Sequence, residues 1–121
     1  QRLLGFTDPI KPAENNFNGE VVIITDGANF STAAHFVAMA KYHKLGTLLG
    51  SKTGGSYVCT DSSKDIVLKN TRMRLHYSTL VYALDVEGLP RKTGITPDIN
   101  LSRDIDDILS NKDIQMERAL Q

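Results

Sequence analysis

The stretch from Val21 to Gly50 constrains the fold more than any other part of the chain. It opens with Val21-Val22-Ile23-Ile24-Thr25, an apolar, β-branched run without polar alternation. Such a run predicts a strand covered on both faces. Turn formers follow at Asp26-Gly27-Ala28-Asn29, and helical periodicity begins around Phe30-Ser31-Thr32. Ala33, Phe36, Val37 and Ala40 recur at helical spacing and predict a core-facing stripe. Lys41, His43 and Lys44 place positive charge where a helix C-terminus favours it, and Gly46 can supply a left-handed stop. Thr47-Leu48-Leu49-Gly50 is a second short apolar run. The stretch therefore predicts two neighbouring parallel strands bridged by a helix from about Ser31 to Lys44, with a right-handed crossover. The fold class is α/β.

Ser31 sits where strand hands over to helix. Side chains at that point leave the carboxyl end of a strand, where α/β folds place their sites. Free N–H groups at a helix start can hold a negative oxygen. An exposed hydroxyl beside an oxyanion site is what a serine nucleophile requires. The competing reading is that Ser31 is an N-cap, one of the commonest uses of serine. No capping box accompanies it, because Ala34 stands where Glu or Gln would complete one.

The 121 residues suit one domain, with an irregular lead-in over 1–19, an α/β core over 20–101 and a helical tail over 102–121. Lys plus Arg equals Asp plus Glu at 14 each, which argues against nucleic acid or an anionic membrane as main partner. No stretch approaches transmembrane length. The first residue is Gln, which reads as the start of a mature or excised segment. Cys59 has no Cys or His partner at a zinc spacing and reads as a small strand residue; no metal and no cofactor are expected.

In the lead-in, Pro9, Pro12, Asn15, Asn16, Asn18 and Gly19 are turn formers, and Leu3, Leu4, Phe6 and Phe17 are expected to anchor onto the domain. Ser51-Lys52-Thr53-Gly54-Gly55-Ser56 is a loop whose paired glycines allow close approach to a ligand, or simply make a turn. It is a poor phosphate loop, since Lys52 precedes the glycines and no helix pattern follows. Strands are expected at Tyr57–Thr60, Ile66–Lys69, Met73–Tyr77 and Leu80–Leu84, with a turn at Asn70-Thr71 and with Met73, Leu75 and Tyr77 facing inward. Ile95 to Ile99 is extended around Pro97. Two short helices end the chain, Asp104–Leu109 with Ile105, Ile108 and Leu109 on one face, and Ile114–Leu120 capped by Asp113.

Taken in order, the buried strand, Phe30-Ser31-Thr32-Ala33-Ala34-His35-Phe36, Leu49-Gly50-Ser51-Lys52-Thr53-Gly54-Gly55, Gly94-Ile95-Thr96-Pro97-Asp98-Ile99 and Lys112-Asp113-Ile114-Gln115-Met116 resemble the C-terminal part of the tail-specific (C-terminal processing) serine proteases, which include a tricorn-like branch. Gly-Ile-Thr-Pro-Asp-Ile is the most distinctive piece, and the resemblance spans roughly Phe17 to Leu120. It implies a crotonase/Clp-protease-like stack of β–β–α units. It implies that Ser31 is the nucleophile of a serine peptidase and that the backbone N–H of Thr32 is half of its oxyanion hole. Thr53, Gly54 and Gly55 are the implied substrate-binding residues. Peptides or unfolded proteins are the implied substrates, upstream domains of the same parent chain the implied partners, and an extracytoplasmic location is suggested.

Two positions depart from the family pattern. Ala34 occupies the site of an acidic residue three positions after the nucleophile. The lysine base of the bacterial processing enzymes, twenty-five positions after the serine, is Ser56 here. Lys52 lies four residues earlier and reads as a solvated loop charge, while Thr53-Gly54-Gly55 is closer to the tricorn-like branch, whose base is a histidine far upstream. His35, His43 and His76 read as surface or packing residues. With no base and one oxyanion donor, the chain alone is expected to be a poor protease or none. Two other readings stand beside this one. A noncatalytic peptide- or glycan-binding relative fits Ala34 and the missing lysine. A von Willebrand A-type adhesion module fits Ile23-Ile24-Thr25-Asp26-Gly27, with Asp26 toward Mg²⁺, but lacks that fold's Asp-x-Ser-x-Ser loop.

Overall fold

The computed structural model describes residues 10–121, so the expected anchors Leu3, Leu4 and Phe6 lie outside the described residues. Its strands are β1 (Val22–Thr25), β2 (Thr47–Gly50), β3 (Val58–Val67), β4 (Arg74–Ala83) and β5 (Ile99–Asn100). Its helices are α1 (Ser31–His43), α2 (Ile105–Leu109) and α3 (Ile114–Ala119). The fold is mixed α/β. β1 and β2 pair in parallel, Val22 opposite Thr47 and Thr25 opposite Gly50, and α1 bridges them as its periodicity predicts. β5 adds to the other side of β2, also in parallel, so the sheet order is β1-β2-β5.

That order corrects the reading of the first strand. β1 is an edge, with Val22 exposed and Ile23 and Ile24 half-buried. The strand covered on both faces is β2, where Leu48 and Leu49 are fully buried. An edge strand lacks a neighbour on one side, so composition alone does not settle its burial. The stripe on α1 is also rotated: Ala34, Val37, Ala38 and Ala40 are buried, while Ala33 and Phe36 face solvent. Small residues on the buried face let the helix lie close to the sheet. Val37, Ala38, Ala40, Leu48 and Ile95 form the core, with Ile23, Tyr57, Leu84 and Leu89 packed around it.

α1 stops short of Gly46. Lys44 adopts the left-handed conformation (φ 54°), and its N–H reaches the carbonyls of Ala40 and Lys41. Gly46 serves close approach instead, since a Cβ there would stand 2.4 Å from the Val21 carbonyl oxygen. The four short strands expected after Tyr57 are two long ones. β3 and β4 form an antiparallel hairpin, Val58 opposite Ala83 and Val67 opposite Arg74, closed by a turn in which the Leu68 N–H donates to the Met73 carbonyl. Met73, Leu75 and Tyr77 do not face a core: the hairpin is solvent-exposed over most of its length, because no described layer covers it. Phe17 is likewise exposed and lies against Gly19 of its own loop.

The tail forms the two expected helices. Asp104 caps α2 with a complete capping box involving Asp107, and the Asp113 carboxylate accepts the Met116 N–H at the start of α3. Ile105, Ile108 and Leu109 are all exposed. Gln115 docks α3 on the sheet by donating to the Leu101 carbonyl at 2.8 Å. No described helix is long and apolar enough to cross a membrane.

Candidate active site

The turn between β1 and α1 is held from within. The Asp26 N–H donates to Asn29 Oδ1 and the Ala28 N–H to Asp26 Oδ1, both at 2.8 Å. The Asp26 carboxylate is thus engaged by its own turn, and no cluster of three potential metal ligands occurs among the described residues. Phe30, extended at φ −117° and ψ 168°, is the N-cap of α1 and makes no side-chain cap bond. Ser31 is therefore not the cap. It is the first helical residue, exposed, and its backbone lies at φ 49°. Serine in the left-handed region is strained by about 1–2 kcal/mol, and such outliers collect at functional sites. The result is a sharp strand-to-helix turn that lifts one hydroxyl out of the fold.

The Thr32 N–H finds no acceptor among the described residues, because the first backbone bonds of the turn are made by Ala33 and Ala34 to the Phe30 carbonyl. A free first-turn donor next to an exposed hydroxyl is an oxyanion site in form.

Ser31 and Thr32 open onto a groove of about 320 Å³. His35 continues its α1 wall; Cys59 and Asp61 of β3, Tyr82 and Ala83 of β4, and Leu84 form the other. This second wall is not anticipated from sequence. Its one available signal is Cys59 and Asp61 two apart on a strand, hence on one face.

Thr53, Gly54 and Gly55 are not in the groove. Thr53 is buried; its hydroxyl donates to the Gly55 carbonyl and accepts the Ile95 N–H, both at 2.7 Å. A Cβ on Gly54 would come within 2.3 Å of the Gly27 carbonyl oxygen and 2.4 Å of the Phe30 ring. The Gly55 N–H donates to the Asn29 carbonyl at 2.9 Å, and Ala34 packs against Gly55. This loop is pressed onto the turn that presents Ser31. Ala34 is fully buried there.

Ser56, at the family's lysine position, keeps its hydroxyl among the loops, 3.1 Å from the Val58 carbonyl and 3.0 Å from the Arg91 carbonyl, to either of which it can donate its one proton. Lys52 is exposed and outside the groove. His43 stacks edge-on with Tyr42 at 5.0 Å, and His76 pairs with Asp65 across the exposed hairpin at 2.7 Å. Of the three histidines, His35 shares the groove with Ser31.

The Gly-Ile-Thr-Pro-Asp-Ile piece closes the same assembly from behind. The Asp98 carboxylate accepts the Lys41 ammonium at 2.7 Å and the Leu48 N–H at 2.9 Å, joining helix and central strand. Burial of that carboxyl pushes its pKa up, but the hydrogen bonds from Lys41 and Leu48 and the lysine charge outweigh it, so it lies below the ordinary value.

Comparison with protein families matches residues 6–101 to the model of peptidase family S41. The chain belongs to peptidase family S41. No curated protein matches it.

Proposed function

We propose that the chain is the nucleophile-bearing, C-terminal part of a serine peptidase catalytic domain of the tail-specific type, with a crotonase-like arrangement. Ser31 attacks the scissile carbonyl of a peptide or unfolded protein, and the Thr32 N–H holds the oxygen that becomes negative. The observation that carries this reading is the exposed Ser31 at φ 49° beside a Thr32 N–H without an acceptor among the described residues, at the mouth of a groove. Thr53, Gly54 and Gly55 act on substrate through the turn they brace. The chain works within a larger protein, whose upstream segments supply the second oxyanion donor and cover the exposed hairpin.

A second reading, a noncatalytic peptide- or glycan-binding relative, is favoured by one observation: the family's lysine position is Ser56, and its hydroxyl is committed to backbone carbonyls. A fluorophosphonate probe separates the two. Covalent modification mapped to Ser31, lost on Ser31→Ala, supports the peptidase. An unmodified Ser31 in the full parent protein supports the binding relative.

A further inference from the structure

We infer that the groove beside Ser31 receives the substrate side chain that precedes the scissile bond, and that Asp61 makes the groove select lysine or arginine there. The inference rests on the reading of Ser31 as nucleophile and names the substrate class of that site. The carbonyl that a serine attacks belongs to a residue whose side chain branches from the adjacent carbon. That side chain must therefore lie close to the Ser31 hydroxyl. Ser31 and Thr32 open onto a groove of about 320 Å³. Ligand pockets begin at about 300 Å³, so the groove suits one side chain rather than a folded partner.

The wall opposite Ser31 combines apolar surface with one negative charge. Tyr82 stands across from Cys59 in the hairpin register, and Leu84 follows just beyond β4. Asp61, two residues after Cys59, shares its strand face and lines the same groove. No lysine or arginine is among the lining residues. Asp61 is exposed and takes part in no ion pair among the described residues. Asp65, the next acid on that face, is by contrast paired with both Arg74 and His76. The Ser62 N–H donates to one Asp61 carboxylate oxygen at 2.7 Å, and no described residue donates to the other. The groove therefore offers a held carboxylate with an open acceptor and no cation of its own.

A lysine or arginine side chain matches both parts. Its aliphatic stem lies along apolar surface while its charged head seeks a polar partner, and here Tyr82 and Leu84 supply the surface and Asp61 the partner. The bond between head and carboxylate is charge-assisted, and an aromatic ring such as that of Tyr82 attracts a cation to its face. An apolar side chain takes the surface but covers the carboxylate without pairing it, and an acidic one meets a like charge. Solvent reaches Asp61 and screens it. The discrimination is therefore about 10-fold, far below that of a fully buried polar site.

The test is hydrolysis, by the full parent protein, of paired peptides that differ only at the residue before the scissile bond, lysine in one and norleucine in the other. Norleucine keeps the aliphatic stem and lacks the ammonium. The unaltered protein should favour lysine about 10-fold in kcat/KM. Asp61→Asn should bring the ratio close to unity, Asp61→Lys should invert it, and Asp61→Glu should retain the preference. Asp65→Asn, on the same strand face but outside the groove, should leave the ratio as it is in the unaltered protein. Each ratio is taken within one protein, so it does not depend on the fraction that folds. An unaltered protein with no preference for lysine, or a preference that survives Asp61→Asn, overturns the role of Asp61 and leaves Ser31 as nucleophile. A preference lost equally in Asp65→Asn also overturns it, since that is the general field of the hairpin and not the groove. A parent protein that cleaves neither peptide nor an unfolded protein overturns the reading of Ser31, and this inference with it.

Discussion

Ser31 carries a strained backbone, and its hydroxyl makes no hydrogen bond among the described residues, so its side chain contributes little to folding. Loss of an N-cap costs about 1 kcal/mol, but Phe30 holds that position. Ser31→Ala should therefore change stability by less than about 0.5 kcal/mol. Ser31→Gly, which relieves the left-handed strain, should be more stable than Ser31→Ala by up to about 1 kcal/mol. Urea unfolding of the three proteins checks the order; a Gly variant less stable than the Ala variant would show that the turn is not strained. Asp98 is the opposite kind of residue, tied into the structure by Lys41 and Leu48. Asp98→Ala strips the Leu48 N–H of its acceptor, a loss of about 1–3 kcal/mol. The sign of the pH effect follows from the lowered folded-state pKa. The stabilisation is complete above the unfolded value, about 3.9, and is lost as pH falls through the lower folded value. The difference in melting temperature between the unaltered protein and Asp98→Asn should shrink below about pH 4. A difference that stays constant down to about pH 2 would contradict the assignment.

At the level of elements, the site is a grip between two loops. The β1–α1 turn presents Ser31, and Gly54-Gly55 fills the space behind it. Gly54→Ala forces its Cβ against the Gly27 carbonyl and the Phe30 ring. Overpacking of this kind costs about 1–3 kcal/mol, and here it also displaces the turn that presents Ser31. Gly27, two residues before Asn29 in the same turn, faces open space: a methyl group there would meet nothing within 4 Å. Gly27→Ala should be nearly neutral where Gly54→Ala lowers both melting temperature and Ser31 modification; equal effects would deny the grip. The turn and the helix are legible in sequence because β-branched run, turn formers and helical spacing follow one another within about thirty residues. The helix face is not, because Ala33, Ala34, Phe36, Val37, Ala38 and Ala40 are all apolar and the periodicity does not choose among them. The hairpin reads as four strands because Asp61, Ser62, Ser63, Lys64 and Asp65 are polar, and polar residues in mid-strand look like a turn when neither face of the strand is buried.

For the whole molecule, family membership is legible from the order of several weak pieces, above all Gly94 to Ile99. The groove is not, because its second wall comes from a hairpin whose docking against α1 leaves no mark in the local pattern. His35 looks like a surface or packing residue for the same reason: only the packed hairpin encloses it in the groove. Ser31 as the nucleophile of a peptidase is tested by peptide hydrolysis in the full parent protein with and without Ser31→Ala, with folding monitored by thermal unfolding. The expected result is that hydrolysis is abolished while the melting curve is essentially unchanged. Undiminished hydrolysis in the Ser31→Ala protein would contradict it.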